Sequence, residues 1–250
     1  MTQLWMSAPK TTPEGETHVS TRIFVSAAAG FAAIAAAAAT AQAALPPDGT
    51  YDYSLRQGDS VIATSTVTVR RSGSVTSIRE TQTVNQTAVG TVQLTADLTV
   101  IADSLTPLSF DGSTMSSGKT QEVKFAYSGG SGYFIQNGER LSVPVKMIFG
   151  TQAMIVQDQS LVLSFLTLPA VLQATKANSL TVAVPTASRI FAITVDPAPQ
   201  NKPSGLPAAD VAVAIASPIA YSVWFDPNTG VVDEIDVPSQ SLVISLTKHP

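Results

Sequence analysis

A chain of 250 residues with no cysteine cannot draw on disulfides and must be stabilised by a core, which this length can bury. Its net charge of −4, with 13% of residues charged and no basic cluster, argues against nucleic acid and anionic membrane surfaces as partners. Of two histidines only His249 lies outside the N-terminal leader, which is too few for a Ser-His-Asp triad or a catalytic zinc.

The chain opens on an export signal. Residues 23–39 are apolar and alanine-rich, Arg22 precedes them, and Ala41-Gln42-Ala43 supplies an A-x-A cleavage signature. Cleavage after Ala43 or Ala44 is expected, so residues 1–44 read as a signal peptide. The alternative is a retained membrane anchor, but a span wants about 20 strongly hydrophobic residues and alanine is only weakly so. No cysteine follows for lipid attachment. Removing 44 of 250 residues leaves 206, a usual length for one β-rich domain over 45–250. The product is expected to be periplasmic or extracellular, with no stable membrane span.

Period-two alternation then dominates. In residues 50–57, Tyr51, Tyr53 and Leu55 share one face. Gly58-Asp59 turns the chain, and in 60–71 Val61, Ala63, Val67 and Val69 lie opposite Thr64, Thr66, Thr68 and Arg70. Further strands are expected at 75–84, 89–100 and 103–110, then a Ser/Gly loop at 111–120, strands at 121–127 and 133–136, and a hairpin at Asn137-Gly138 leading into 140–149. Turns this short join antiparallel neighbours, so the pattern predicts an up-and-down meander.

Residues 157–174 (QDQSLVLSFLTLPAVLQA) break the alternation. Asp158 or Ser160 can cap a helix, and the residues from Leu161 to Leu172 put apolar side chains on nearly every side. A helix apolar all round is a buried one. Two short strands are the rival, because periodicity does not separate a buried strand from a buried helix. Strands resume at 180–184, 189–195, 211–216, 219–225, 231–237 and 241–247, with a Pro-rich surface loop at 196–210. The expected fold is mainly β: a single curved antiparallel sheet, half barrel or open barrel, with one helical insertion against its concave face. Aromatic residues of such a fold are mostly core, but some can line an apolar groove between sheet and insertion. The candidate lining residues are Phe149, Leu161, Phe165, Leu168, Leu172 and Trp224.

Motifs for chemistry are weak. Ser116-Ser117-Gly118-Lys119 fits S-x-x-K but lies in the Ser/Gly stretch without its S-D-N and K-T-G partners. Asp226, Asn228 and Gly230, with Asp233, Glu234 and Asp236 nearby, suggest a calcium loop, but the spacing fails the EF-hand pattern and a solvated turn is the better reading. No pair among the acids is singled out for glycoside cleavage. No cofactor, metal or catalytic residue is expected.

Tyr51-x-Tyr53, the Gly58 turn and Ile62-Ala63-Thr64 resemble the opening of a group of secreted bacterial families of unknown function. Residues 98–107 resemble their middle strands. Trp224-x-Asp226, Gly230-Val231 and Pro238 are similar to their closing hairpins. The resemblance implies a curved antiparallel half barrel akin to the lipoprotein-localisation factors, and lipid-type ligands; it transfers no catalytic residue. The sequence therefore leads to a non-enzymatic extracytoplasmic protein binding a hydrophobic, lipid-like molecule in a groove of the sheet. A cell-envelope structural or protein-interaction module with a filled core is the alternative, and an enzyme of unrecognised type the third.

Overall fold

Long runs of alternating β-branched and polar residues become long strands. A computed structural model describes residues 45–86, 90–128, 131–140, 153–158, 161–199 and 201–250; the leader, Ser160, Phe149 and nearly all of the strand expected at 140–149 lie outside them. The first half gives β1 (Gly49–Gln57), β2 (Ser60–Ser72), β3 (Val75–Gln86), β4 (Gly90–Ile101), β5 (Pro107–Ser116), β6 (Lys119–Ser128), β7 (Ser131–Gln136) and β8 (Glu139–Arg140). After β9 (Met154–Val156) come two short helices, α1 (Leu163–Leu166) and α2 (Leu168–Thr175). The second half gives β10 (Ser179–Val184), β11 (Arg189–Asp196), β12 (Val211–Ser217), β13 (Tyr221–Phe225), β14 (Val232–Val237) and β15 (Leu242–Lys248).

Among the described residues these strands form one 15-stranded sheet in the order β8-β7-β6-β5-β4-β3-β2-β1-β15-β14-β13-β12-β11-β10-β9. The chain is two meanders that share a seam at its middle, where β1 pairs antiparallel with β15 (Leu55 opposite Ile244). Tyr53 reinforces that seam: its hydroxyl reaches past β15 and donates to the Val232 carbonyl of β14 at 3.0 Å. The sheet curls but does not close into a barrel. β9, at one margin, packs against β5 of the other half. Near the other margin, the Gln136 side-chain amide of β7 donates to the Thr186 carbonyl in the β10–β11 turn at 3.0 Å.

This order explains the central segment. The segment joins β9 to β10, parallel neighbours at one margin, and a parallel pair cannot be joined by a tight turn but needs a crossover connection. That crossover lies inside the curl: every residue from Leu161 to Leu172 is buried. A segment apolar on all sides is stable there, each large side chain contributing about 1.5–3 kcal/mol on burial. The inner faces that receive it carry Ala63, Val67, Ile78, Leu94, Ala96, Leu98, Phe110 and Phe125, all buried.

Four expectations are corrected in detail. The sheet is not wholly antiparallel, since β9 pairs parallel with β10 (Val182 beside Ile155). The helix begins at Leu163 and is interrupted at Thr167, because Pro169 has no N–H to continue the ladder. Asp158 does not cap it: its carboxylate accepts from the Thr186 N–H at 2.9 Å and from the Thr186 hydroxyl, pinning the β10–β11 turn. Residues 111–120 are not a loop but the β5–β6 hairpin, with Ser117 (φ 51°) and Gly118 (φ 73°) at its tip. Small polar residues resemble a loop in composition, yet serine and threonine sit readily on the outer face of a strand; the Lys124–Asp111 ion pair at 2.9 Å bridges the same two strands.

Candidate functional site: an apolar cavity beside the inserted helix

The inserted segment fills the first meander's half of the curl more completely than the second's. On the first side a void of about 10 Å³ lies among Leu94, Phe110, Val123, Asp158 and Leu161, at the lower limit for a single water. On the second side a cavity of about 470 Å³ opens, within the range of small-molecule sites.

Residues of five strands build its walls. Ile193 and Phe191 lie two apart on β11, Val184 ends β10, Val237 ends β14 and Leu242 begins β15. Tyr221 opens β13, directly after the turn that holds the cis Ser217–Pro218 bond. From α1 comes Phe165, whose ring meets that of Tyr221 edge-on at 5.3 Å and 84°. The Tyr221 hydroxyl donates to Gln157 Oε1 at 3.4 Å, and the Gln157 backbone N–H is held by the Ala183 carbonyl at 3.0 Å. Burial pushes the Tyr221 phenol well above its ordinary range, so it stays a neutral donor. Pro218, Ile219 and Gln240 form an exposed rim; Ile219, at 45% exposure, is one of the few large apolar side chains so open to water. The lining residues include no charged side chain.

Of the residues singled out in the sequence, Phe165 stands on the wall of this cavity and Leu161 on the small void. Leu168, Leu172 and Trp224 are buried but face neither space. Phe149 lies outside the described residues. Sequence reasoning did not assign Phe191, Ile193, Tyr221 or Gln157 to a site. The usable signal was the pair of inward faces at 189–195 and 219–225, with apolar Ile219 beside a turn proline.

Two titratable groups also stand out: Glu80, which the sequence did not single out, and Asp233, which it noted only beside the turn at 226–230. Glu80 of β3 is wholly buried, accepting the Ser65 hydroxyl at 2.5 Å and the Leu163 N–H of α1 at 2.8 Å. Burial pushes its carboxyl up to about 7 against the opposing pull of those bonds. It occupies the helix start where Asp158 was expected. On β14, burial and the neighbouring Asp210 carboxylate raise Asp233 to about 7. Asp226 is a turn residue, its oxygens accepting the Asn228 N–H at 2.8 Å and the Thr229 hydroxyl at 2.9 Å. Among the described residues no group of three or more His, Cys, Asp or Glu is arranged to hold a metal ion.

No protein-family model matches the chain, and no curated protein matches it significantly. Among solved structures, it is similar to a β-barrel-like protein of domain of unknown function DUF1849 from Brucella abortus. There the identity is 14% and the TM-score 0.49, over 82% of this chain and 97% of the other. It is also similar to a DUF1089 family protein from Pseudomonas aeruginosa, at 13% identity and a TM-score of 0.43, over 70% of this chain and 90% of the other. Neither likeness assigns a ligand or an activity to this chain.

Proposed function

We propose that this chain is a non-enzymatic, exported binding protein that holds a hydrophobic small molecule in the cavity between α1 and the second meander. The observation that carries the reading is that cavity: about 470 Å³, apolar on most of its surface, uncharged, and rimmed by an exposed Ile219. A core needing only to be stable gains by filling such a space, since each unfilled methyl-sized hole costs about 1 kcal/mol. Export rests on the alanine-rich leader ahead of Ala41-Gln42-Ala43. A helix laid inside a curled sheet also agrees with the half barrel that the resemblance to lipoprotein-localisation factors implies. Among the described residues no helix is long and apolar enough to cross a membrane.

The test is native mass spectrometry of the protein purified from its own host, beside titration with a neutral fluorescent probe, N-phenyl-1-naphthylamine. Co-purifying mass that organic solvent extracts, and saturable probe binding, are expected. Bare protein that binds no probe would leave the filled-core envelope module as the better account. Trp224 is off the cavity wall and a poor reporter; Ile219→Trp places an indole on the rim instead.

A further inference from the structure

The chemistry of the walls narrows the ligand class, and this step rests on the binding reading just given. Three lining residues can hydrogen-bond through their side chains: Gln157, Tyr221 and Gln240, all neutral. Tyr221 and Phe165 stand together on the buried side, while Gln240 is on the exposed rim. Gln157 gives its carbonyl oxygen to the Tyr221 hydroxyl, which leaves its Nε2 hydrogens on the wall with no partner among the described residues. The open polar valence of the inner cavity is thus an amide donor.

Each ligand chemistry meets that arrangement differently. An ionised carboxylate or phosphate would be stripped of water with no lysine or arginine among the lining residues to answer it. A plain alkane would fill the apolar walls and cover the Gln157 donor without replacing its bond to water. A carbonyl oxygen accepts from an amide N–H and carries no charge. We infer that the cavity selects an uncharged amphiphile, an apolar chain ending in an ester or amide carbonyl, which accepts from Gln157 Nε2. Tyr221 is the positioning residue. Its hydroxyl fixes the Gln157 side chain with the oxygen turned away from the ligand, and the edge-on contact with Phe165 fixes the Tyr221 ring.

The experiment displaces N-phenyl-1-naphthylamine from the full exported chain with methyl laurate, laurate and dodecane, each below its aggregation limit. At pH 8 the ester is expected to compete at least about tenfold better than laurate. Below about pH 4, where the acid is neutral, most of that gap should close. Gln157→Leu is expected to weaken the ester about tenfold more than it weakens the probe or dodecane, and Tyr221→Phe to do the same to a smaller degree. Laurate matching or exceeding the ester at pH 8 overturns the inference and leaves the binding reading standing. So does an ester affinity untouched by Gln157→Leu. If the probe itself never binds the wild type, the binding reading fails, and the selectivity with it. The wild-type series alone decides the charge preference should Gln157→Leu fold poorly.

Discussion

Glu80 carries no exposed surface, yet it ties the sheet to the helix start, 83 residues further along the chain. Its neighbours across the ladder, Val67 and Ala96, offer it nothing polar, so Ser65, the Gln82 side-chain amide at 3.5 Å and the α1 backbone are what keep the carboxyl satisfied. Glu80→Ala strands the Leu163 N–H in the core and is expected to cost about 2–4 kcal/mol in urea denaturation. Glu80→Gln keeps an acceptor for Leu163 and should cost less. The pH dependence follows from the sign of the shift. A carboxyl raised on folding, from 4.5 to about 7 for Glu80, binds its proton more tightly in the native state. Its contribution to stability is complete below about pH 4.5 and is lost as pH climbs through 7. Asp233, raised from 3.8 to about 7, acts in the same direction. Melting temperature should therefore fall between pH 5 and pH 8, less steeply in Glu80→Gln and nearly flat in the Glu80→Gln, Asp233→Asn double variant. A wild-type melting temperature that rises across that window would refute the assignment. The sequence hides Glu80 because one acid on the inner face of a strand looks like any other until the partner arrives from far along the chain.

Elements were more legible than their arrangement. Strands β1 to β4 follow from two-residue alternation, and the helix follows from a run apolar on every side; both signals are local. Asn137-Gly138 forms its hairpin tip with both residues at positive φ, 47° and 85°, as the dipeptide predicts. The pairing of β1 with β15 and the parallel edge strand β9 join residues far apart in sequence, and periodicity carries no information on partners. The β5–β6 hairpin was hidden by composition. Gly112 shows why small residues belong there: a Cβ at that position would come within 2.8 Å of the Phe110 ring and 3.1 Å of Val123. Gly112→Ala is thus expected to destabilise by about 1–3 kcal/mol through crowding. Gly118→Ala, at φ 73° with open space around it, should cost about 1 kcal/mol through backbone strain alone. Denaturation midpoints distinguish the two, because Phe110→Leu should relieve the first and leave the second unchanged.

At the scale of the whole molecule, the curl divides into a half that holds the fold and a half that holds space. Leu166 is 1% exposed and lines neither void; Ile193 and Val237 line the large one. If the cavity is kept for a ligand, stability and binding should separate along that division. Leu166→Ala is expected to lose about 2–5 kcal/mol by leaving a hole in packed core, while binding N-phenyl-1-naphthylamine normally at temperatures where it is folded. The Ile193→Trp, Val237→Phe double variant adds bulk to a space already empty. It should fold with stability unchanged or raised by about 0.5–2 kcal/mol, as cavity filling commonly does, and should bind the probe at least tenfold more weakly. Calorimetric melting and probe titration on the same two preparations give all four readings. A filled variant that binds like wild type would place the ligand elsewhere. One that collapses would mean that the space is a necessity of this sheet's curvature rather than a site, because walls that cannot accept matter in a void of that volume were never shaped to receive any.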